Sequence, residues 1–324
     1  MYKIKQVPED FIVKEVNSNI KPGKTGNYSY FLMKKREYTT ERAIQAIANF
    51  FKTRRKFVNY AGNKDKNAVT YQYISINNLN PRQDKDYTLK DIELKFLGRG
   101  SQHIYLGFLN GNKFEIIVRN LNKAFKPDTE KQILNLFDEQ RFSKNNVIIG
   151  KNILHGDFKE AVNIIIKESV DYEEDMKEFL NTSNNDYVGA LRKVPQRILT
   201  LFVNSYQSFI FNKTIKEYTK KKHLRKNIKV PIIGFGTEFK DKEIESIIEK
   251  ILKKEKVNLR DFIIRKIPEL SSEGNERNLF LKIKALKIGK LESDELNKGK
   301  KKINIKFELC KGSYATIVIK NFFN

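Results

Sequence analysis

Residues 61–72 read AGNKDKNAVTYQ. It places one acidic residue, Asp65, between Lys64 and Lys66 in a polar loop. The two lysines favour the ionised form of Asp65, and an accessible ionised carboxylate can act as a nucleophile or as a base. A K-D-K turn taken alone is usually only a solvated surface loop, so its meaning depends on the surrounding sequence.

The sequence on both sides of this loop predicts strands and one helix. Strands are expected near Phe11 and at residues 28–34, 57–60 and 69–76, where apolar residues recur among polar ones. A helix capped by Thr39 or Thr40 follows the second of these strands. Its apolar face consists of Ile44, Ile47, Ala48 and Phe51. The loop of Asp65 is therefore expected between two strands.

Two further regions carry β-like patterns. Residues 90–120 predict strands, with Asn110-Gly111 as a tight turn between two of them. The tail, from residue 303 onward, predicts strands on both sides of a turn at Lys311-Gly312. A strand that returns at the end of a chain often completes a sheet begun early.

Helical patterns dominate the middle of the chain. Residues 128–225 predict helices, including a long one from Arg197 to Tyr218, and residues 240–256 predict another. The order β-rich, helical and again β-rich indicates an α+β protein with an inserted domain. We predict a discontinuous catalytic domain over residues 1–159 and 291–324 and an insert over residues 160–290.

The charge balance indicates an anionic partner. The 324 residues include 63 Lys and Arg against 39 Asp and Glu, a net charge of +24. Such an excess favours nucleic acid, because phosphate contacts release counterions. An anionic membrane surface or a ribosomal protein would also fit the charge alone. One cysteine and three histidines exclude an internal disulfide and argue against a Cys/His metal site. No apolar run is long enough to predict a membrane helix or a signal peptide.

Read as a whole, GNKDKNAVTYQ resembles the signature loop of TruD-family pseudouridine synthases, G-x-K-D-[KR]-x-A-x-T-x-Q. Other segments resemble motifs of the same family, in the same chain order. They are Lys5 with PEDFIVKE at 8–15, NGNKFEIIVRN at 110–120, NLFDEQRFSKNN at 135–146, NSYQSF at 204–209, SSEGNERNLF at 271–280 and LCKGSYATIVIKN at 309–321. The resemblance spans nearly the whole chain.

The chain departs from the family pattern at a few positions. Asp138 and Ser143 stand where the family usually has glycine, and Cys310 replaces a proline. Asn204-Ser205 replaces His-Ala, and Lys320-Asn321 replaces Arg-Glu. None of these positions belongs to the residues that the resemblance makes catalytic.

The resemblance implies a fold and a set of active-site residues. The fold is a pseudouridine synthase core with a mixed, mostly antiparallel sheet, plus an inserted TRUD-type α/β domain. Asp65 is the catalytic residue, and Lys5 is its basic partner. Phe137 stacks on a flipped-out base, Asn135 holds the catalytic loop or the nucleotide, and Tyr314 packs near the target base. The reaction needs no cofactor and no metal.

The same resemblance implies tRNA as the partner, uridine 13 as the target, and a cytoplasmic enzyme that we expect to be monomeric. Several basic residues become candidate RNA contacts: Arg54, Arg55, Lys64, Lys66, Arg141, Lys220, Lys221, Lys222 and Arg225. Three chemical routes stay open, in which Asp65 attacks C1′, attacks C6, or removes a sugar proton.

Other classes of protein compete with this interpretation. A non-catalytic RNA-binding or RNA-folding protein could keep the same fold, and a ribosome-associated protein would fit the charge. A methyltransferase would need a cofactor loop, and a zinc deaminase would need Cys and His ligands. Neither feature is evident in the sequence.

Overall fold

The computed structural model describes residues 1–17, 19–122, 127–129, 132–139, 145–168, 172–220 and 227–323. The chain divides into two compact units. Unit 1 comprises residues 1–129, 282–315 and 322–324, and unit 2 comprises residues 130–281 and 316–321. The domain boundaries expected from the sequence, after residues 159 and 290, stay a prediction.

The described residues form twelve strands and eight α-helices. The strands are β1 (Phe11–Val16), β2 (Tyr28–Arg36), β3 (Val58–Tyr60), β4 (Val69–Asn77), β5 (Tyr87–Leu89), β6 (Ile92–Gly100), β7 (Gly111–Leu121), β8 (Lys229–Ile232), β9 (Asn275–Asn278), β10 (Ile283–Ile288), β11 (Glu292–Ser293) and β12 (Lys301–Cys310). The helices are α1 (Thr40–Phe50), α2 (Asn146–His155), α3 (Phe158–Glu168), α4 (Glu173–Thr182), α5 (Tyr187–Leu191), α6 (Gln196–Thr219), α7 (Lys242–Glu255) and α8 (Ala315–Phe323).

Unit 1 is built on one large sheet with the strand order β10-β12-β7-β1-β4-β2-β6-β5. Strands β11 and β3 add to β12 and β4. All neighbours pair antiparallel except β1 and β4, which run parallel with Ile12 opposite Val69. The predicted mixed, mostly antiparallel sheet is confirmed. Parallel strands begin at the same edge of a sheet, so the segments that precede β1 and β4 meet there.

Helix α1 covers one face of the sheet as its apolar pattern predicts. Thr39 caps it by accepting a hydrogen bond from the backbone N–H of Arg42. The predicted apolar face is buried in one core with residues of β2, β4 and β6, among them Phe31, Met33, Ile74, Ile76 and Leu94.

The returning strand is confirmed, but the predicted turn at Asn110-Gly111 is wrong. Strand β12 closes against β7, with Ile305 opposite Ile116. Residues 101–110 form no strand, and Gly111 is the first residue of β7. A Cβ atom at Gly111 would lie 2.3 Å from the carbonyl oxygen of Leu309, so this glycine allows two backbones to approach closely.

The predicted strand after Lys311-Gly312 is also wrong. The segment Ala315–Phe323 is helix α8, although it contains Ile317, Val318 and Ile319 in succession. Such β-branched runs favour strands only weakly, and tertiary packing overrides that preference.

Unit 2 is mostly helical, as predicted, with the two-stranded sheet β8–β9. The long helix α6 and the helix α7 match the predicted spans closely. Helix α6 forms the centre of the unit and buries Phe202, Tyr206 and Phe211. A Cβ atom at Gly150 of α2 would lie 2.1 Å from the carbonyl oxygen of Phe202, so a glycine lets these two helices pack in close contact.

Candidate active site

The loop between β3 and β4 carries Asp65, and Lys5 is its partner. The ammonium nitrogen of Lys5 lies 2.5 Å from one carboxylate oxygen of Asp65. The two residues precede the parallel strands β4 and β1, which explains how positions 60 residues apart come together. The ammonium also lies 4.2 Å from the ring centroid of Phe11. The Asp65 side chain is 37% exposed, so the carboxylate is held by a cation and still accessible to a substrate.

Lys5 has a backbone φ of +58°, which is unfavourable for a residue other than glycine. Backbone strain of this kind persists only where the surroundings impose it, and it concentrates at functional sites. The residue with this strained backbone is the one whose ammonium pairs with Asp65.

The backbone of the Asp65 loop is fixed by buried side chains beneath it. The hydroxyl oxygen of Thr40 accepts a hydrogen bond from the N–H of Lys64 at 2.8 Å. The side-chain amide of Gln72 donates to the carbonyl oxygen of Gly62 at 3.1 Å, and Thr40 donates to Gln72 at 3.2 Å. Thr40 belongs to α1 and Gln72 belongs to β4, and both elements pack in the apolar core of unit 1. Their hydrogen bonds therefore hold the loop against a rigid part of the fold.

Lys64 does not point to solvent. Its ammonium lies 2.9 Å from the carboxylate of Glu15, and the two side chains are only 6% and 0% exposed. Burial raises the pKa of Glu15, and the neighbouring charge of Lys64 works in the opposite direction. This buried ion pair connects the Asp65 loop to β1. Lys66, on the other side of Asp65, is exposed.

Lys35 is a second buried lysine, and the sequence motifs did not reveal it. Its ammonium donates to the carbonyl oxygen of Asp65 at 2.9 Å and to that of Tyr38 at 2.6 Å. The alternation of β2 contained the signal, because Phe31 and Met33 face the core and Lys35 is the next residue on that face.

A second cluster, in unit 2, contains Asn135 and Phe137 and is organised by Arg277. The guanidinium of Arg277 donates to the backbone oxygen of Asn135 at 2.8 Å and to its side-chain oxygen at 2.6 Å. It also lies 4.3 Å from the ring centroid of Phe137, in a cation–π contact. One arginine therefore orients both residues. Its segment matched the family by spacing alone, which did not indicate this role.

The backbone and ring of Phe137 are held from the side of α6. The amide of Asn212 accepts from the N–H of Phe137 at 2.9 Å and donates to its carbonyl oxygen at 2.8 Å. The ring of Phe211 meets the ring of Phe137 edge-on, with centroids 5.4 Å apart. Phe137 is nearly buried, with 9% of the residue exposed.

Asp138, which replaces a family glycine, forms a contact with α8. Its carboxylate accepts from the ammonium of Lys320 at 3.1 Å and from the hydroxyl of Thr316. Burial opposes its ionisation, but the hydrogen bonds from Thr316 and Lys320 outweigh it and lower the pKa of Asp138. Tyr314 is half-buried in the turn that precedes α8 rather than in a strand.

The other candidate RNA contacts fall into three groups. Arg55 donates to both carboxylate oxygens of Glu41, at 2.7 and 2.9 Å. Arg54 and Lys220 are exposed, and Lys220 pairs with Glu217 at 2.6 Å. Arg141, Lys221, Lys222 and Arg225 lie outside the described residues.

Two features are absent from the described part of the chain. No helix there is long and apolar enough to cross a membrane. No group of three or more His, Cys, Asp or Glu side chains there is placed to hold a metal ion.

Comparison with known proteins identifies the family. The family model described as tRNA pseudouridine synthase D (TruD) matches residues 2–179, 165–229 and 219–322. A curated protein of Methanocaldococcus jannaschii named "Probable tRNA pseudouridine synthase D 2" is 32% identical over 99% of this chain and 91% of its own. The tRNA pseudouridine synthase D of Aquifex aeolicus is 28% identical over 99% of this chain and 98% of its own.

A solved structure agrees with these sequence matches. A crystal structure of a TruD protein from Methanosarcina mazei has a TM-score of 0.72 and 29% identity, covering 99% of this chain and 93% of that one. The fold and the matched motifs define an enzyme of the pseudouridine synthase class. The chain belongs to the TruD family.

Proposed function

We propose that this protein converts a uridine of tRNA, at position 13, to pseudouridine, with Asp65 as the catalytic carboxylate. The observation that carries the proposal is the ion pair of Asp65 with Lys5, 2.5 Å apart, inside the loop that matches the family signature. The net charge of +24 is consistent with an RNA substrate. The cytoplasm is the expected location, and a monomer is the expected state.

The reaction is an isomerisation, so the composition and the oxidation state of the nucleotide do not change. The bond from N1 to C1′ breaks and a bond from C5 to C1′ forms, while C5 loses a proton and N1 gains one. Asp65 begins the reaction by attacking C1′ or C6, or by removing a sugar proton. Lys5 orients the carboxylate in each of these routes through their ion pair.

The base must leave the RNA stack before Asp65 can reach it. Flipping costs a few kcal/mol, and stacking on an aromatic ring returns roughly 1–3 kcal/mol per base. Phe137, held by Arg277 and Asn212, is the proposed stacking residue. Asn135, whose side chain is fixed by Arg277, is proposed to contact the nucleotide or the catalytic loop.

The test maps pseudouridine on unmodified tRNA transcripts by carbodiimide labelling and primer extension. Wild type is compared with Asp65→Asn, which removes the charge and keeps the shape. The matched control is Asp91→Asn, at an exposed position whose φ of +58° asparagine tolerates. The expected result is one new stop at position 13 with wild type and the control, and none with Asp65→Asn.

Other results would contradict different parts of the proposal. A stop that persists with Asp65→Asn would remove Asp65 from the catalytic role. A stop at another uridine would correct the target. Tight tRNA binding by wild type without any stop would favour a non-catalytic RNA-binding protein on the same fold.

A further inference from the structure

Lys35 is fully buried in unit 1, near the end of β2. Its neighbours across β2 are Thr70 of β4 and Ile92 of β6, and neither carries a charge. The residue has no exposed surface. Moving an ammonium group out of water costs several kcal/mol unless strong partners replace the water. An apolar residue would fill this position without the free-energy cost of desolvating a charge, so the lysine must do something here that an apolar residue could not.

The partners of Lys35 are two backbone carbonyl oxygens. One belongs to Tyr38, in the turn that leads into α1, and the other belongs to Asp65. The carboxylate of Asp65 is engaged separately by Lys5. Two lysines therefore hold Asp65 at two different points, one at its side chain and one at its backbone.

We propose that Lys35 is a positioning residue for the reaction of Asp65: its ammonium fixes the catalytic loop to the β2–α1 turn and so sets the direction of the Asp65 carboxylate. This inference rests on the proposed function of Asp65. A hydrogen bond from a charged donor is about twice as strong as one between neutral groups, which suits a contact that must hold a loop in one place. Lys35 does not touch the substrate and acts only through Asp65.

Burial makes the ammonium of Lys35 easier to deprotonate than that of an exposed lysine. Burial lowers its pKa to about 8, Asp65 acts to raise it, and Lys64 acts to lower it further. The nearby Thr40 and Gln72, which hold the same loop, are neutral. The ammonium form that anchors Asp65 therefore prevails below that pH and gives way to the amine above it.

The chain supplies a matched control in the adjacent residue. Lys34 points to the opposite face of β2 and pairs with Glu93 at 2.8 Å, with 36% of its side chain exposed. We compare Lys35→Met, which has a similar shape but neither charge nor donors, with Lys34→Met. The experiment measures the single-turnover rate of pseudouridine formation and the affinity for tRNA.

A small displacement of a catalytic group lowers a rate by about 100-fold. We expect a loss of that order for Lys35→Met, with tRNA affinity changed less than threefold and Lys34→Met close to wild type. Equal rates for the two variants would overturn the inference. A loss of affinity in step with the rate would also overturn it, because it would indicate general disruption. Should Lys35→Met not fold, Lys35→Gln replaces it with the same readouts and the same criteria.

Hydrogen exchange separates this inference from the proposed function. The amide hydrogen of Lys64 is bonded to the hydroxyl of Thr40, and that of Ala68 is bonded to the carbonyl oxygen of Lys66. Lys35→Met should speed their exchange at least tenfold, and Lys34→Met should not. If wild type modified no tRNA, the proposed function would fail while this measurement still decided whether Lys35 anchors the loop. Unchanged exchange would show that it does not.

Discussion

The guanidinium of Arg277 lies over the ring of Phe137, with its central carbon 4.3 Å from the ring centroid. The same group forms hydrogen bonds to the backbone and side chain of Asn135. A planar charged group and a forked set of donors are both properties of arginine that lysine lacks. The contact therefore depends on the shape of the side chain as well as on its charge.

The first prediction follows from that shape dependence. Arg277→Lys keeps the charge but should lower the single-turnover rate by about 10- to 100-fold, close to the effect of Arg277→Met, because Asn135 and Phe137 both lose their orientation. The measurement is pseudouridine formation with enzyme in excess. The exposed Arg265, changed to lysine, is the control. A fully active Arg277→Lys would show that charge alone suffices there.

A second prediction concerns the buried pair of Glu15 and Lys64. Removing one member of a buried ion pair leaves an uncompensated charge and costs about 3–5 kcal/mol. Glu15→Leu and Lys64→Met should each destabilise the protein by that amount, and the double variant by clearly less than their sum. Urea unfolding of the four proteins measures the coupling. Additive effects would mean that the two groups contribute independently.

The sequence predicted most of the fold in unit 1 because its patterns are local. The apolar face of α1 and the strands around the Asp65 loop follow from periodicity, and the structure confirms them. The two errors have one cause. Local preference alone predicted a turn at Asn110-Gly111 and a strand after Lys311-Gly312. The secondary structure of each segment is determined instead by a partner distant in sequence.

The candidate site was predictable to the extent that residue identity carries it. The motifs predict Asp65, Lys5, Asn135 and Phe137 as site residues, and their roles stay a prediction. The structure pairs Lys5 with Asp65. The roles of Lys64, Lys35 and Arg277 were not predicted, because each depends on which group the end of the side chain contacts. Lys64 turns inward to Glu15, Lys35 reaches a carbonyl oxygen, and Arg277 lies 142 residues from Asn135.

A third prediction separates the two arginines that precede the catalytic loop. Arg54 is exposed, as is Lys66, whereas Arg55 is bound to Glu41. Neutralising Arg54 and Lys66 together should weaken tRNA binding. It should also lower the slope of log affinity against log salt by about 0.7–0.9 for each phosphate that the variant no longer neutralises.

Arg55→Ala serves as the comparison, and it should leave that slope unchanged while reducing stability. Filter binding across a salt series measures the affinities, and thermal unfolding measures stability. If Arg55→Ala changed the slope as much as the double variant, Arg55 would leave Glu41 to contact RNA.

The fourth prediction uses the pKa of Lys35, which burial lowers from an ordinary value of 10.5 to about 8. Between these two pH values the unfolded chain binds a proton at Lys35 and the folded protein does not. Stability rises with pH wherever the unfolded state binds more protons. The stability of wild type relative to Lys35→Met should therefore rise over this window, by up to about 3 kcal/mol.

Activity should change in the opposite direction over the same window. A neutral amine donates weaker hydrogen bonds than an ammonium, so the backbone of Asp65 is held less firmly as Lys35 loses its proton. Single-turnover rates for wild type should fall above a pH of about 8, and Lys35→Met should show no such fall from its lower rate. Rates and urea unfolding measured from pH 7 to pH 10 test both trends. A wild type whose rate and relative stability moved together would exclude Lys35 as the titrating group.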